Sequence, residues 1–107
     1  MSVVRYARIL GLSDEEALMY ETLLMLGPMP AGELAVGLDL RTNVVYSLLR
    51  RLAHKGFVTS RRTWPRTHEA YPLTLTLMQI RTRWWTEFRE LEKLAAHKAF
   101  TARSRNG

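Results

Sequence analysis

Apolar residues recur at helical spacing along the first half of the chain, and glycines separate the apolar segments from one another. Residues 3–10 predict a short helix that ends at Gly11. Ser13, followed three residues later by Glu16, has the pattern of a capping box and predicts a second helix that runs to Gly27. The apolar face of this second helix is expected to hold Ala17, Tyr20, Leu23, Leu24 and Leu26.

Two further helices are predicted before residue 56. Residues 27–30, Gly-Pro-Met-Pro, predict a turn because two closely spaced prolines cannot continue a helix. A short helix follows over about 31–36, and Gly37 is expected to close it with a positive φ. The clearest helix covers about 42–55, where one buried stripe is formed by Val45, Leu48, Leu49 and Leu52.

The second half of the chain changes to a strand pattern and then returns to a helix. Residues 57–63 predict a strand, 64–67 a loop and 68–71 a returning strand that Pro72 ends. A long helix is expected from about 74 to 100.

Three helices followed by a two-stranded hairpin is the element order of a winged helix-turn-helix. The predicted fold is therefore mainly α with a small β-hairpin, a winged helix-turn-helix followed by a long C-terminal helix. We expect the domain over 1–73, a dimerisation helix over 74–100 and a flexible basic tail over 101–107.

Charge is distributed unevenly along these 107 residues. Residues 1–40 carry two basic and six acidic residues, a net charge of −4, whereas residues 41–107 carry fourteen basic and four acidic residues, a net charge of +10. This asymmetry favours a polyanionic partner for the basic part, although a basic surface that only aids solubility has the same composition. With no cysteine and no long apolar segment, disulfides, thiolate metal sites and a membrane span are not expected, and the prediction is a cytoplasmic, nucleoid-associated protein.

The chain offers no pattern typical of an enzyme. The three histidines, His54, His68 and His97, lack the spacing of a metal site, and Ser47 has no evident base. The glutamates of the last helix alternate with basic residues, which indicates surface ion pairs. We predict no catalytic residue, no metal and no cofactor.

Short motifs between residues 8 and 80 resemble the N-terminal DNA-binding domain of the TrmB-type transcriptional regulators. The matching segments are Leu10-Gly11-Leu12-Ser13, Leu26-Gly27-Pro28, Glu33-Leu34-Ala35, Val45-Tyr46, Leu52, Lys55-Gly56-Phe57-Val58 and Ala70-Tyr71-Pro72. The resemblance implies a winged helix-turn-helix that binds double-stranded DNA. It also implies that Tyr46 corresponds to a tyrosine of the family's third helix.

The sequence departs from the family pattern at three places. Pro30-Ala31-Gly32 stands where the family usually has a Ser or Thr cap, and Arg41-Thr42-Asn43-Val44 replaces a helix opening that often contains proline and arginine. The family's base preference therefore does not transfer. Full-length regulators of this type also carry a ligand-sensing domain after the linker helix, and we expect no sugar-sensing role for these 107 residues.

The outer face of the third helix is the predicted recognition surface. A recognition helix enters the major groove with its N-terminal half nearest the base edges. The outward residues are Arg41, Thr42, Asn43, Val44, Tyr46, Ser47 and Arg50. Arginine pairs with guanine and asparagine with adenine, and valine can contact a thymine methyl group. Thr42 or Asn43 is expected to cap the helix as well, and Tyr46 has the alternative of packing against the wing.

The predicted wing adds a second basic group. Its cations, expected to contact phosphates or a minor groove, are Arg61, Arg62, Arg66 and His68. Trp64 lies among them, and we expect it to pack back onto the hairpin; the alternative is contact with a sugar-phosphate backbone.

The last helix carries an apolar row near heptad spacing, formed by Leu77, Ile80, Trp84, Phe88, Leu91 and Leu94. We favour a homodimer in which this helix pairs with its symmetry mate, so that two half-sites about one turn of DNA apart are bound. The alternative is a monomer whose last helix folds back over its own domain. Trp85 lies outside the row.

The sequence therefore predicts a homodimeric, sequence-specific DNA-binding transcriptional regulator. The same helix pattern and charge are compatible with two alternative functions. One is an architectural protein that coats DNA, and the other is an interaction module that binds a protein partner through the last helix. RNA binding is a third hypothesis, based only on charge and on Trp64.

Overall fold

A computed structural model describes residues 2–97 of the chain. Within this range the protein is mainly helical, with a small antiparallel sheet, and has the winged-helix architecture predicted from the sequence. The helices are α1 (Ala7–Leu10, after a 3₁₀ turn over Val4–Tyr6), α2 (Asp14–Leu26), α3 (Ala31–Leu38), α4 (Thr42–His54) and α5 (Leu73–Ala96). The strands are β1 (Met29–Pro30), β2 (Val58–Arg61) and β3 (Thr67–Ala70). The predicted helix end at 98–100 and the predicted tail at 101–107 lie outside the described residues.

Helix α2 begins at the predicted capping box. The Glu16 amide donates to Ser13 Oγ at 3.1 Å, and the Ser13 amide donates to Glu16 Oε1 at 2.8 Å. The predicted buried face was wrong in part, because Met19 is buried whereas Leu26 is 67% exposed. Apolar residues occur on both sides of this helix, so periodicity alone does not identify the buried side.

The segment between α2 and α3 contains a strand that was predicted to be only a turn. Met29 pairs with His68 and Pro30 with Thr67, so β1 adds to β3 and the sheet has the order β1-β3-β2. Proline is tolerated here because β1 lies at the edge of the sheet, where its missing N–H leaves no ladder partner unsatisfied.

Helix α3 runs past Gly37, which was predicted to end it. The left-handed residue is Asp39, with φ 53°, and the Leu40 amide donates to the Ala35 carbonyl at 2.9 Å to close the turn. Aspartate tolerates this conformation better than most residues with a Cβ. Pro30 is the N-cap residue of α3. It provides no side-chain cap because proline has no hydrogen-bond acceptor in its side chain.

The core is built on the predicted stripe of α4. Val45, Leu48, Leu49 and Leu52 are all buried, which confirms the helical periodicity. The ring of Tyr20, on α2, packs edge-on against Phe57 with centroids 5.1 Å apart. The Tyr20 hydroxyl donates to the Tyr71 carbonyl at 2.7 Å. This buried hydroxyl therefore has its hydrogen-bond partner in the residue that follows β3.

The chain divides into two compact units, one ending at Thr76 and the next beginning at Leu77. The first unit contains the helices α1–α4, the sheet and the first turn of α5. In the second unit the described residues form the rest of α5, and their side chains are exposed apart from the half-buried Ile80.

Candidate nucleic-acid interface

The first turn of α4 leaves polar groups open to solvent. Arg41 is the N-cap residue, with extended backbone angles, and its side chain does not cap the helix. Thr42 and Asn43 are exposed, and neither side chain hydrogen-bonds to any residue in 2–97. The expectation that Thr42 or Asn43 caps α4 was therefore wrong, because both lie inside the helix rather than before it. Their polar atoms are available to an outside partner.

The other outward side chains of α4 differ in how exposed they are. Arg50 is exposed and Tyr46 is 49% exposed, whereas Val44 and Ser47 are half-buried. Asn43, Tyr46, Ser47 and Arg50 lie on the side of α4 opposite the buried residues, whereas Thr42 and Val44 lie at the two edges of the buried stripe.

A shallow groove of about 280 Å³ lies between α4 and the hairpin β2–β3. Two arginines line it, Arg50 from α4 and Arg66 from the loop between the strands. Its walls are completed by Tyr46, Leu49, Ala53, Val58, Thr59, Ser60 and His68. The groove joins the two predicted surfaces, and it combines two guanidinium groups with the polar residue Ser60. Such a set of donors suits an anionic oxygen.

Thr59 and Ser60 were not among the predicted site residues. The cross-strand register places Ser60 opposite His68, which also lines the groove, whereas Thr59 lies opposite Glu69 on the other face of the sheet. A strand of four residues is too short for alternation alone to show which side chains face α4. Only the pairing with β3 could have revealed them.

His68, predicted to be one of the basic wing residues that contact DNA, is only 8% exposed, although it lines the groove. Its strand is central in the sheet, with Met29 on one side and Ser60 on the other. The ring contacts that of Tyr46, with centroids 6.5 Å apart. Burial lowers the pKa of His68, and the nearby Arg66 lowers it further, so the imidazole is neutral at neutral pH. The alternative expectation for Tyr46, contact with the wing, agrees with this ring pair.

The three arginines of the wing differ in their surroundings. Arg61 is bound through two bonds to Glu69, from Nε to Oε2 at 2.8 Å and from Nη2 to Oε1 at 3.1 Å. Arg62 and Arg66 are exposed and form no ion pair with any residue between 2 and 97. Excess positive charge on the wing therefore comes mainly from Arg62 and Arg66, because Glu69 offsets the charge of Arg61.

Trp64 does not pack back onto the hairpin, contrary to the expectation. Its side chain is 96% exposed at the tip of the loop 62–66. Within this loop the Thr63 hydroxyl donates to the Pro65 carbonyl at 3.0 Å.

The second unit carries the predicted apolar row of α5. Leu77, Trp84, Phe88, Leu91 and Leu94 are between 40% and 62% exposed. Trp84 stacks on Phe88 with ring centroids 5.0 Å apart, and Trp85 lies 6.5 Å from the same ring. Apolar side chains of this size in contiguous positions are typical of a surface that meets another protein.

Two searches of residues 2–97 bear on other kinds of function. No group of three or more His, Cys, Asp or Glu side chains in this range is arranged to hold a metal ion. Within the same residues, no helix combines the length and the apolar character that a membrane crossing requires.

Comparison with protein families gives a match over most of the first unit. The family model described as sugar-specific transcriptional regulator TrmB matches residues 7–74, well over half of the chain. The matched range begins with α1 and ends at the start of α5, so it includes α4, the groove and the wing. A search among curated proteins found no match.

Proposed function

This chain belongs to the TrmB family of DNA-binding transcriptional regulators, and from that premise we propose that it binds double-stranded DNA through α4 and the wing as a sequence-specific homodimer. In this proposal α4 enters the major groove, and the wing lies against the sugar-phosphate backbone. The observation that carries it is the continuous surface from the exposed first turn of α4, through the groove at Arg50 and Arg66, to the wing.

Base contacts are assigned to the first half of α4. Arg41 is placed to pair with guanine and Asn43 with adenine, because these side chains offer two hydrogen bonds to those base edges. Neither forms a hydrogen bond to another side chain of residues 2–97, so no internal bond has to be broken first. Ser47 extends the same face, and Thr42 and Val44 lie at its edges.

Phosphate contacts are assigned to the groove and to the wing. Arg50 and Arg66 face the groove from its two sides, and an anionic oxygen between them would also be within the reach of Tyr46 and Ser60. Arg62 adds a further cation. Arg61 has a smaller role in this proposal because Glu69 already holds its guanidinium, and His68 is omitted because it is buried and neutral.

A gel-shift experiment with genomic fragments at low and high salt tests the proposal. The wild-type protein should select a few fragments, and Arg50→Ala should weaken binding and make the slope of log affinity against log salt shallower by about 1.8, because each dimer loses two phosphate contacts. Arg8→Ala is the matched control, since it removes the same charge from an exposed position on α1. No binding at low salt would contradict DNA binding altogether. Uniform binding to all fragments would contradict sequence specificity and favour an architectural protein.

The homodimer is proposed to form through the exposed row of α5. Residues 77–97 carry four basic and three acidic residues, so charge repulsion does not oppose the pairing of two identical helices. Heptad-like spacing of the apolar positions suits such a pair. A two-fold dimer presents two copies of α4, and its operator is then expected to be an inverted repeat.

Sedimentation of the wild-type protein and of two variants tests the dimer. Wild type should sediment as a dimer, Leu91→Glu should shift it to a monomer, and Thr82→Ala, an exposed change beside the row, should have no effect. A monomeric wild type that retains a stoichiometric protein partner would contradict the homodimer. That result would favour the interaction-module hypothesis.

A further inference from the structure

Trp64 is the most exposed of the large apolar side chains in residues 2–97, and the contacts proposed above do not use it. Burying an indole is strongly favourable in water, so a tryptophan that is 96% exposed is unusual without a partner. The other two tryptophans differ from it, because Trp84 and Trp85 both lie close to the ring of Phe88. Among the described residues no aromatic ring contacts Trp64.

The hairpin that carries Trp64 is braced on both sides of the loop. Arg61 pairs with Thr67 in the register and binds Glu69 through both carboxylate oxygens. Above this pair, the Thr63 hydroxyl donates to the Pro65 carbonyl. The indole therefore stands at the end of a short hairpin that these bonds support.

The positive charge around Trp64 indicates which type of partner this side chain can contact. Arg61, Arg62 and Arg66 flank it within five positions, and Arg62 and Arg66 form no ion pair with any residue in 2–97. An apolar protein pocket would have to desolvate these cations, whereas a nucleic-acid duplex offers phosphates to the arginines and base faces to the ring. A flat ring between cations fits the minor groove, where proteins insert apolar side chains between base pairs.

We propose that Trp64 inserts between base pairs from the minor groove and partly unstacks one base step. This inference rests on the proposed function, since it requires the wing to lie on duplex DNA. It adds a contact that depends on the deformability of the step, and pyrimidine–purine steps are the most easily unstacked. The arginines would then hold the backbone on both sides of the inserted ring.

The test uses the full-length protein and a duplex that it binds, with 2-aminopurine placed in turn at successive pyrimidine–purine steps. In the wild-type complex, fluorescence should rise at one step in each half-site because the base there is no longer stacked. Trp64→Ala should abolish the rise and weaken binding about 100-fold, because each dimer loses two aromatic–base stacks that are each typically worth about 10-fold. Trp64→Phe should retain most of both effects.

The salt dependence of DNA affinity distinguishes the loss of the Trp64 contact from the loss of a positive charge. Trp64→Ala should leave the slope of log affinity against log salt unchanged, whereas Arg62→Ala should make it shallower by about 1.8, because both wings of the dimer lose a phosphate contact. Ile9→Ala, which truncates an exposed apolar side chain on α1, is the matched control and should bind like wild type. Thermal unfolding should be unchanged by Trp64→Ala, since the indole has no packing to lose.

Three results would overturn the inference. They are equal binding by wild type and Trp64→Ala, weaker binding without any change in 2-aminopurine fluorescence, and a larger effect of the variant on single-stranded DNA than on the duplex. Failure of the proposed function is distinguishable, because the wild-type protein and the Ile9→Ala control would then bind no duplex at all.

Discussion

A partly buried ion pair connects the end of α4 to the start of α2, and its removal is expected to destabilise the first unit measurably. Lys55 follows the last residue of α4, and its Nζ lies 3.0 Å from Glu16 Oε1 and donates to the Gly11 carbonyl at 2.9 Å. Glu16 is 3% exposed, and its Oε2 atom has no hydrogen-bond partner in residues 2–97. Loss of Lys55 would therefore leave a buried carboxylate held only by Ser13.

The magnitude follows from the unequal burial of the two side chains. Removing one partner of a fully buried pair costs about 3–5 kcal/mol. The Lys55 side chain is 35% exposed, so water already screens part of the attraction. For Lys55→Met, which keeps most of the aliphatic stem, we expect a loss of about 2 kcal/mol in the free energy of unfolding. In a Glu16→Gln background the same change should cost about 1 kcal/mol, a coupling of about 1 kcal/mol.

Urea unfolding followed by circular dichroism measures these differences, with all proteins at one concentration because dimerisation affects apparent stability. Lys93→Met is the matched control. Lys93 and Glu90 form an ion pair at 3.2 Å on α5, but both side chains are mostly exposed. That control should cost less than about 0.5 kcal/mol. The reasoning is refuted if Lys55→Met costs no more than Lys93→Met, or if Lys55→Met costs the same with and without the Glu16 carboxylate.

Two further predictions concern the same unit. Burial raises the pKa of Glu16, but the Ser13 amide, Lys55 and the Ser13 hydroxyl together outweigh it and hold this pKa below its ordinary value of 4.5. The stabilisation from the ionised carboxylate should therefore be full above about pH 4.5 and be lost as the pH falls through the lower folded-state pKa. Denaturation midpoints measured against pH should show this loss in wild type, and an equally steep loss in Glu16→Gln would contradict it. Tyr20→Phe removes the hydroxyl that donates to the Tyr71 carbonyl and bonds to Thr76 Oγ1 at 3.1 Å, and it should cost about 1–2 kcal/mol in urea unfolding. Tyr46→Phe, with a half-exposed hydroxyl, is the control, and equal losses from the two variants would contradict the role given to Tyr20.

Features that depend on neighbouring residues were predictable from the sequence. The capping box at Ser13 and Glu16 needs only two residues at fixed spacing, and the stripe from Val45 to Leu52 repeats for two turns of one helix. Both were confirmed. The order of helices and strands follows from such local patterns, which is why the winged-helix fold could be predicted.

Features that depend on distant partners were not predictable. Strand β1 has two residues, one of them a proline, and it exists only because β3 is beside it. Burial of His68 has the same origin, since β3 becomes the central strand once β1 is added. Lys55 and Glu16 are 39 positions apart, and no local pattern links them. Trp64 was expected to pack because large apolar side chains usually do, and no local pattern indicates that its ring is exposed.

The most direct test of the central claim is the affinity of the protein for a selected duplex and for a scrambled duplex of equal length, measured by fluorescence anisotropy over a series of salt concentrations. The account predicts tighter binding to the selected duplex. Asn43→Ala should reduce that preference with the salt slope unchanged, whereas Arg66→Ala should weaken binding to both duplexes and make the slope shallower by about 1.8 for a dimer. Equal affinity for the two duplexes, or a preference that survives the loss of Asn43 and Arg41 together, would contradict the assignment of base contacts to α4.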